Sequence, residues 1–454
     1  MSVRDDKNKE GSIDKELLNK WQTSFEKVSR NKIAMNALTK NSVNEIAMNW
    51  DVVSKINHTY SHEIDTLKKI TNQKKSGRCW LFAGLNVLRL ATAKKLNLEN
   101  FELSQSFLMF WDKLEKSNYF LENIIDTRDK DIRDRTVMWL LGSPIGDGGQ
   151  WDMFVDLVNK YGVLPKDIAR ESYNSSNSTH MNKLITAKLR EDACILRELH
   201  KKGKDLSTLR RKKEEMLEEI YKMLVMFLGK PPSIFDWEYR DKDKNFNRIK
   251  NITPQEFLKK YVPVDIENIV TLINAPMSDK EYRKLYTVKY LGSIKGKRVI
   301  YLNLEIQRLK KFASKTIKNG NPVWFGSDVG KMYHRDKGIL DSHLYDYGSL
   351  FNTKFNLNKG QRLDYGESRL THAMVLSGVD IKDNKTVKWK VENSWGKDPG
   401  DKGYFIMSDE WFDEYVYEVA INKKYFDNEL LNVLTTEPEV LPPWDPMGAV
   451  ARVF

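Results

Sequence analysis

The sequence predicts an α+β protein built from a helical lobe and an antiparallel sheet lobe. Apolar residues recur at helical spacing in much of the first half of the chain, which indicates packed helices. From about residue 299, short runs rich in valine, isoleucine and aromatic residues alternate with turn residues, as in strands. A cysteine, Cys79, opens the most apolar helix, and a histidine, His372, opens one of the apolar strands. These observations predict a large core and a site where a helix start meets a strand.

Five segments follow from this pattern. Residues 1–64 are polar, and we expect an N-terminal arm with one docked amphipathic helix. Residues 65–165 form the helical lobe, 166–298 a mainly helical insertion whose apolar stripes suit a core or a subunit interface, and 299–428 the sheet lobe. Residues 429–454 form a C-terminal arm, which its prolines should keep extended rather than helical.

Composition restricts the class of protein. The chain has 454 residues, of which 40% are hydrophobic and 30% charged, and its mean hydropathy is -0.58. No apolar run approaches the roughly 18 residues that span a bilayer, and the first residues lack a hydrophobic signal segment. There are only two cysteines, Cys79 and Cys194, so no disulfide framework is expected, and Cys194 should be a small buried hydrophobe. We therefore expect a soluble, cytoplasmic protein without a membrane partner.

The net charge of +12 and a pI near 9.2 predict a cationic surface that attracts polyanions. Acidic residues are interspersed through most lysine-rich stretches, which favours an ordinary solvated surface. Non-specific binding of DNA or RNA stays open.

Cys79 has the features of a nucleophile. It stands at the first turn of a helix, where unpaired backbone N–H groups and the helix dipole favour the thiolate. Gln73 comes six residues earlier, and its side-chain amide together with the backbone N–H of Cys79 could hold a developing oxyanion. His372 would supply the base, and Asn393, after another strand, would orient the imidazole.

These motifs resemble those of papain-like cysteine proteases. The shared features are Gln73, residues 76–80, the histidine before an apolar strand, and the Asn-Ser-Trp-Gly run at 393–396. The segments 72–74, 102–105, 147–150 and 441–449 further resemble the bleomycin hydrolase branch of intracellular aminopeptidases, and that resemblance covers nearly the whole chain from about residue 65. Secreted papain-type enzymes carry a cysteine where this chain has Ser76, and this departure fits a reducing compartment.

The resemblance implies a papain-like two-lobe fold and a cysteine aminopeptidase that needs neither a cofactor nor a metal. Cys79 and His372 would act as a thiolate–imidazolium pair on peptides with a free N-terminus, and on bleomycin-like amides and homocysteine thiolactone. Gly148 and Gly149 would lie along the substrate groove, and Trp395 would shield the histidine–asparagine bond from water. The family forms homohexamers, and some members bind DNA.

The resemblance also implies a role for the chain end. In the family the C-terminal arm lies in the active-site cleft, where its carboxylate meets the substrate α-ammonium. Here residues 450–454 continue beyond the usual end. We expect the enzyme to trim its own tail back to about Ala451.

A basic nucleic-acid-binding scaffold with an incidental thiol site is the alternative. Taken singly, Cys79 reads as a buried helical cysteine and His372 as a hydrogen-bonded core histidine. Their joint occurrence with Gln73 and the 393–396 run, in this order, favours the enzyme.

Overall fold

The structure is a computed structural model that describes residues 11–65, 67 and 69–452, with only the backbone of residues 450–452. Its helices are α1 (Lys15–Glu26), α2 (Ser29–Leu38), α3 (Val43–Ala47), α4 (Trp50–Val53), α5 (Cys79–Lys95), α6 (Gln105–Asp126), α7 (Arg135–Gly142), α8 (Trp151–Tyr161), α9 (Tyr173–Ser176), α10 (Thr179–Lys201), α11 (Leu206–Leu228), α12 (Pro254–Tyr261), α13 (Ile306–Lys318), α14 (Tyr347–Phe351), α15 (Lys359–Asp364), α16 (Asp409–Tyr415) and α17 (Asn428–Val433).

The strands are β1 (His62–Glu63), β2 (Phe235–Arg240), β3 (Phe246–Ile252), β4 (Ile269–Ile273), β5 (Lys284–Val288), β6 (Tyr301–Asn303), β7 (Val323–Ser327), β8 (Tyr333–His334), β9 (Ile339–Leu340), β10 (His372–Lys382), β11 (Lys385–Glu392), β12 (Tyr404–Ser408), β13 (Val416–Asn422) and β14 (Glu439–Leu441). Short 3-10 turns cover Ile266–Asn268, Lys423–Tyr425 and Pro446–Arg452.

The chain divides into two compact units. The smaller comprises residues 11–56 and 343–356 and contains α1 to α4 and α14. Within it, Met48 forms an antiparallel bridge with Tyr345, and the Tyr347 hydroxyl donates to Asn44 Oδ1 at 2.6 Å. The predicted amphipathic helix is α1, but the described part of the expected arm holds four helices, of which α2 and α3 contact α14 of a distant segment. Sequence alone could not reveal this pairing, because about 300 residues separate the partners.

The larger unit, residues 57–342 and 357–452, contains a mixed sheet. Its strand order is β14-β5-β6-β4-β13-β7-β10-β11-β12-β9-β8, and β1 pairs with β10. The central pairs are antiparallel, whereas β4–β6, β5–β14 and β9–β12 are parallel. The predicted α+β class is confirmed.

The insertion is less helical than predicted. Residues 173–228 form α9 to α11, and α12 begins with the predicted capping box between Thr253 and Glu256. However, β2 and β3 form a hairpin, and β4 and β5 join the main sheet. The run Ile269–Ile273 is short, apolar and largely β-branched, which favours a strand over a helix.

The helix that begins at Cys79 is buried nearly all round, as predicted. Along α5, 13 residues are buried, and the helix packs against β10. Trp80 is fully buried between Gly149 and Trp324, whose indole N–H donates to the Trp80 carbonyl at 3.2 Å. This packing brings the start of α5 to the start of β10. Within the described residues, no helix is long and apolar enough to cross a membrane.

The C-terminal arm is not simply extended. It contains α17, the short strand β14 and the 3-10 turn Pro446–Arg452. Asp427 caps α17 by accepting from the Leu430 N–H at 3.0 Å, and Asp445 accepts from the Met447 N–H at 2.9 Å. Each aspartate accepts a hydrogen bond from a backbone N–H that has no partner within its own turn, which stabilises the turn. The arm therefore forms turns in spite of the prolines near its end.

Candidate active site

Cys79 is the first residue of α5, and only 2% of it is exposed. Its Sγ lies 4.0 Å from the Gly77 carbonyl, and the backbone N–H groups of Ala373, Trp80 and Cys79 itself act on the thiol. The thiol is therefore buried rather than exposed. The covering comes from the packing of α5 on β10, which encloses the helix start.

His372 is the first residue of β10 and is also buried. Its Nε2 lies 2.9 Å from Asn393 Oδ1, which also accepts from the Ser394 N–H at 2.7 Å. Because Oδ1 is an acceptor, this contact assigns the proton to Nε2 and leaves Nδ1 as the basic nitrogen. The Trp395 ring lies against the imidazole, with ring centroids 4.9 Å apart. Trp395 therefore covers the ring that Asn393 orients.

Burial disfavours the charged form of each reactive group taken singly. It raises the pKa of the Cys79 thiol to about 11, although the three backbone N–H groups act in the opposite direction. It lowers the pKa of His372 to about 4, while the hydrogen bond to Asn393 acts to raise it. Taken alone, each value favours the neutral group, and the thiolate–imidazolium pair stays a prediction. Ionisation therefore requires a joint transfer, in which the proton leaves Sγ for the imidazole.

Gln73 is held at both ends of its amide. Its Nε2 donates to the Ser76 carbonyl at 2.6 Å, and its Oε1 accepts from Ser394 Oγ at 2.6 Å. Its backbone N–H also donates to the Ser394 carbonyl at 2.8 Å. An amide nitrogen carries two N–H groups, so one is left for an oxyanion. Ser394 thus links the asparagine motif to the predicted oxyanion donor, a contact that sequence reasoning missed.

Gly396 allows this link to form. Its φ is +82°, and a Cβ there would meet Asn72 Nδ2 at 2.6 Å. Asn72 forms a bridge with Trp395, which joins the two motif segments. A side chain at position 396 would therefore be strained and would push these segments apart.

Ser76 lies in a network of polar contacts in the loop before Cys79. Its Oγ donates to the Gln73 carbonyl at 2.7 Å and accepts from Arg78 Nε at 2.9 Å. The buried Arg78 guanidinium also makes two bonds to the Glu171 carboxylate, at 3.2 and 2.9 Å. Such a bidentate pair holds the loop before the nucleophile without a disulfide.

The Asp147 carboxylate accepts four hydrogen bonds beside the site, a role that the sequence did not predict. Its carboxylate accepts from the Gly77 N–H at 2.8 Å, from Lys113 Nζ at 2.6 Å, from Asn182 Nδ2 at 2.7 Å and from the Ser178 hydroxyl. Burial alone would raise the pKa of Asp147, but Lys113 and the other donors hold it well below its ordinary value. Asp147 therefore stays ionised and anchors the loop that leads to Cys79.

The two predicted groove glycines, Gly148 and Gly149, are buried beside Asp147. A Cβ at Gly149 would lie 2.5 Å from the Trp80 ring, so close packing excludes a side chain there. The Gly148 carbonyl accepts from Lys116 Nζ at 2.6 Å. Both positions thus have packing roles, and their contact with substrate stays a prediction.

A cavity of about 790 Å³ is lined by two of the predicted catalytic residues, Gln73 and His372. Gln73, Gly77, His372 and Trp395 line one part of it. Gly142 to Asp147, residues 328–330 and one face of α10 line the rest. The cavity is large enough to hold several residues of a peptide.

The C-terminal arm is anchored in the same unit. Its carbonyl at Met447 accepts from Gln150 Nε2 at 3.2 Å and from the Tyr301 hydroxyl at 3.1 Å. Asp445 forms an ion pair with Lys280 at 2.8 Å, and the Lys280 side chain is fully buried. The side chain of Ala451 and residues 453 and 454 lie outside the described part of the chain, so the trimming site stays a prediction.

Cys194 departs from its predicted role. It is exposed on α10, with its Sγ 3.7 Å from Glu198 Oε1. The two apolar neighbours that suggested burial do not decide the orientation of one helical position.

The chain is similar to known peptidases along nearly its whole length. Residues 12–448 match the model of the Peptidase C1-like family. The chain is 46% identical to an Aminopeptidase C of Listeria innocua over 95% of its length and 96% of that protein. It is 45% identical to human Bleomycin hydrolase, covering 92% of this chain and 94% of that one.

A solved structure is similar along almost the entire chain. The crystal structure of PepW from Lactobacillus rhamnosis aligns with a TM-score of 0.95 at 46% identity, covering 97% of this chain and 99% of that one. The family predicted from the sequence motifs is thus confirmed, and with it the papain-like α+β fold. The chain belongs to the Peptidase C1-like family of cysteine peptidases.

Proposed function

We propose that this protein is a cysteine aminopeptidase that releases residues from peptides with a free N-terminus. The observation that carries the proposal is the shared site of Cys79, His372, Asn393 and Gln73, with the imidazole 2.9 Å from the asparagine and a cavity beside it. The printed names of its relatives, Aminopeptidase C and Bleomycin hydrolase, support the same activity. Bleomycin-like amides and homocysteine thiolactone are further candidate substrates.

The chemistry follows from the charges of the groups. As Sγ of Cys79 attacks the peptide carbonyl carbon, its proton passes to His372 Nδ1 and the carbonyl oxygen becomes an oxyanion. The Cys79 backbone N–H and the free N–H of Gln73 would bind that oxyanion. The imidazolium then protonates the departing amine, which leaves a thioester. Water, deprotonated by His372, cleaves the thioester and restores the thiol.

Asn393 has a positioning role in this scheme. Its Oδ1 holds Nε2 of the imidazole, and so turns Nδ1 toward the reacting atoms. We expect Asn393→Ala to lower kcat by a smaller factor than Cys79→Ala, since both reacting groups remain. An equal loss from the two changes would argue against a purely orienting role.

Hydrolysis of aminoacyl fluorogenic amides tests the activity directly. The wild type should cleave substrates with a free α-amine under reducing conditions, and their N-acetylated analogues poorly. Cys79→Ala should abolish turnover and shift the unfolding midpoint by only a few degrees, since it removes one small buried group. Turnover near the wild-type rate in Cys79→Ala would disprove the mechanism.

The C-terminal arm would set the exopeptidase character. A free amine that enters a partly desolvated cleft needs a counter-charge, and a chain-terminal carboxylate supplies one. The bonds at Met447 and the buried Lys280–Asp445 pair support an arm held at a fixed position. Intact-mass spectrometry should find the wild type shortened to about Ala451 and Cys79→Ala at full length. Full-length wild type with good activity would rule out self-trimming.

Assembly and nucleic-acid binding stay proposals with their own tests. The smaller unit exposes large apolar side chains on α1, including Leu17, Leu18, Trp21 and Phe25, which supports association. Light scattering should report about six chains, the number that the resemblance implies.

Any binding of DNA or RNA should be sequence-independent and should weaken steeply with salt. With two free cysteines among the described residues, we infer action in the reducing cytoplasm.

A further inference from the structure

One wall of the cavity is a single face of α10, which belongs to the insertion rather than to the catalytic motifs. Thr179, Asn182, Lys183, Thr186 and Arg190 line it at spacings of three, four and seven residues, as one helical face requires. Asn182 donates to Asp147, which fixes this face against the loop that leads to Cys79. The face from Thr179 to Arg190 runs about 16 Å at the rise of an α-helix.

The charges along this wall do not cancel. Lys74, Lys75, Lys183 and Arg190 line the cavity, against the two carboxylates of Asp147 and Asp328. The Asp147 charge is already balanced by buried Lys113, which lies 2.6 Å away.

Asp328 faces several donors within the fold. Its carboxylate accepts from Ser368 Oγ at 2.8 Å, from Thr371 Oγ1 at 3.2 Å and from the Arg369 N–H at 3.3 Å. These bonds direct its oxygens toward the segment before His372. The cavity therefore carries a net positive charge along α10.

Lys183 is the cation whose role is least explained by the fold. It is exposed at the cavity, and no described residue forms an ion pair or hydrogen bond with its ammonium group. Arg190, in contrast, donates to the carbonyls of Leu141 and Gly142 at 3.0 and 3.3 Å and so supports the cavity rim.

We propose that the α10 face of the cavity is a carboxylate-binding subsite in which Lys183 selects peptide substrates that carry a negative group. Two sources share this chemistry: the acidic side chain of an N-terminal glutamate or aspartate, and the terminal carboxylate of a short peptide. Lys183 lies one helical turn along α10 from Thr179, which lines the same cavity, so a carboxylate on a bound peptide can approach its ammonium group. The inference rests on the proposed peptidase function for its substrate class.

The test compares matched substrate pairs with wild type, Lys183→Ala and Lys183→Arg. One pair is a glutamyl and a glutaminyl fluorogenic amide, and the other is a tripeptide with a free or an amidated C-terminus. Lys201→Ala is the control, because Lys201 is an exposed lysine of the same helix that does not line the cavity. The readout is the ratio of kcat/KM within each pair, so a general loss of activity cancels.

We expect Lys183→Ala to lower the preference for the carboxylate by about fivefold, through KM, which is the effect of one solvated charge contact. Lys183→Arg should retain the preference, and salt should weaken it in the wild type. A loss confined to the glutamyl pair identifies the side chain as the source, and a loss confined to the tripeptide pair identifies the chain end. Ratios in Lys183→Ala equal to those of wild type and Lys201→Ala would overturn the proposal.

Binding separates this proposal from the proposed function. The full-length Cys79→Ala variant, which cannot turn substrate over, is titrated with the free and amidated tripeptides, with and without Lys183→Ala. A carboxylate preference that depends on Lys183, in a wild type that cleaves nothing, supports the subsite and refutes the peptidase. Cleavage without any such preference refutes the subsite alone.

Discussion

Two buried carboxyl groups of the larger unit, Asp147 and Glu418, have pKa values shifted in opposite directions. The Asp147 carboxylate accepts hydrogen bonds from a lysine and three further donors, and its pKa lies well below the ordinary value. Glu418 on β13 is fully buried, and neither of its oxygens has a hydrogen-bond partner among the described residues. Burial, and then the nearby Asp152, raise the pKa of Glu418 well above its usual range. Burial thus decides the charge of a carboxyl group only where no cation accompanies it.

The comparison also explains the catalytic pair. Cys79 and His372 resemble Glu418 when each is considered alone, because burial shifts the pKa of each toward the neutral form. In the proposed mechanism, a proton passed from Cys79 to His372 would create opposite charges, like those of the Asp147–Lys113 pair. We therefore expect the reactivity of Cys79 to depend on its base rather than on the helix start alone.

Asp147→Asn should have the largest effect on stability. The change keeps the shape of the side chain but leaves buried Lys113 without its counter-charge, which should cost about 3 kcal/mol in free energy of unfolding. Urea unfolding measures this. Asp129→Asn, in an exposed pair with His200, is the control and should cost less than about 0.5 kcal/mol. Equal losses in the two variants would mean that the buried pair has no special weight.

Glu418→Gln should show an effect of opposite sign that depends on pH. The pKa of Glu418 is higher in the folded protein than in the unfolded chain. Its contribution to the free energy of unfolding is therefore complete below the unfolded pKa, and it declines as the pH rises toward the folded pKa. Glutamine does not titrate, so the variant should become more stable relative to wild type as the pH rises from 5 to 9. Urea unfolding at both pH values provides the measurement. Parallel pH profiles would contradict the assignment of a protonated Glu418.

Asp152→Asn should give the smallest change. Burial raises the pKa of Asp152 to about 7, while hydrogen bonds from Ile300 and Thr271 act to lower it. The wild type should therefore lose stability between the ordinary value of 3.8 and about 7, and the variant should not.

Asp152 is only partly buried as a residue, so we expect a relative gain of about 1 kcal/mol above pH 7. The double variant with Glu418→Gln measures the coupling of the two acids by urea unfolding. Strict additivity of the two changes would place them too far apart to interact.

Sequence motifs predicted the reacting residues because their chemistry restricts residue type and order. Gln73, Cys79, His372 and Asn393 lie far apart along the chain, yet each stands in a recognisable local pattern. The strands β6, β7, β10, β11 and β12 and the ends of α8 and α11 also agree with local signals. The catalytic roles of the four residues stay predictions until the variants are measured.

The supporting contacts could not be predicted in this way. Asp147 stands beside two glycines that attracted the functional interpretation, and its partners Lys113, Ser178 and Asn182 carry no motif. The same holds for Lys280, whose pairing with Asp445 links segments 165 residues apart. Such contacts depend on the packing of whole elements, which local periodicity does not specify.

Alkylation of Cys79 tests the dependence on His372 most directly. Wild type and His372→Ala are treated with iodoacetamide at pH 7, and peptide mass mapping follows Cys79, with exposed Cys194 as the internal control. Without the imidazole, the raised pKa of about 11 leaves very little thiolate. We predict alkylation of Cys79 at least about 100-fold slower in the variant, increasing roughly tenfold per pH unit, with Cys194 unaffected. Equal rates at Cys79 in the two proteins would show that His372 does not activate the nucleophile.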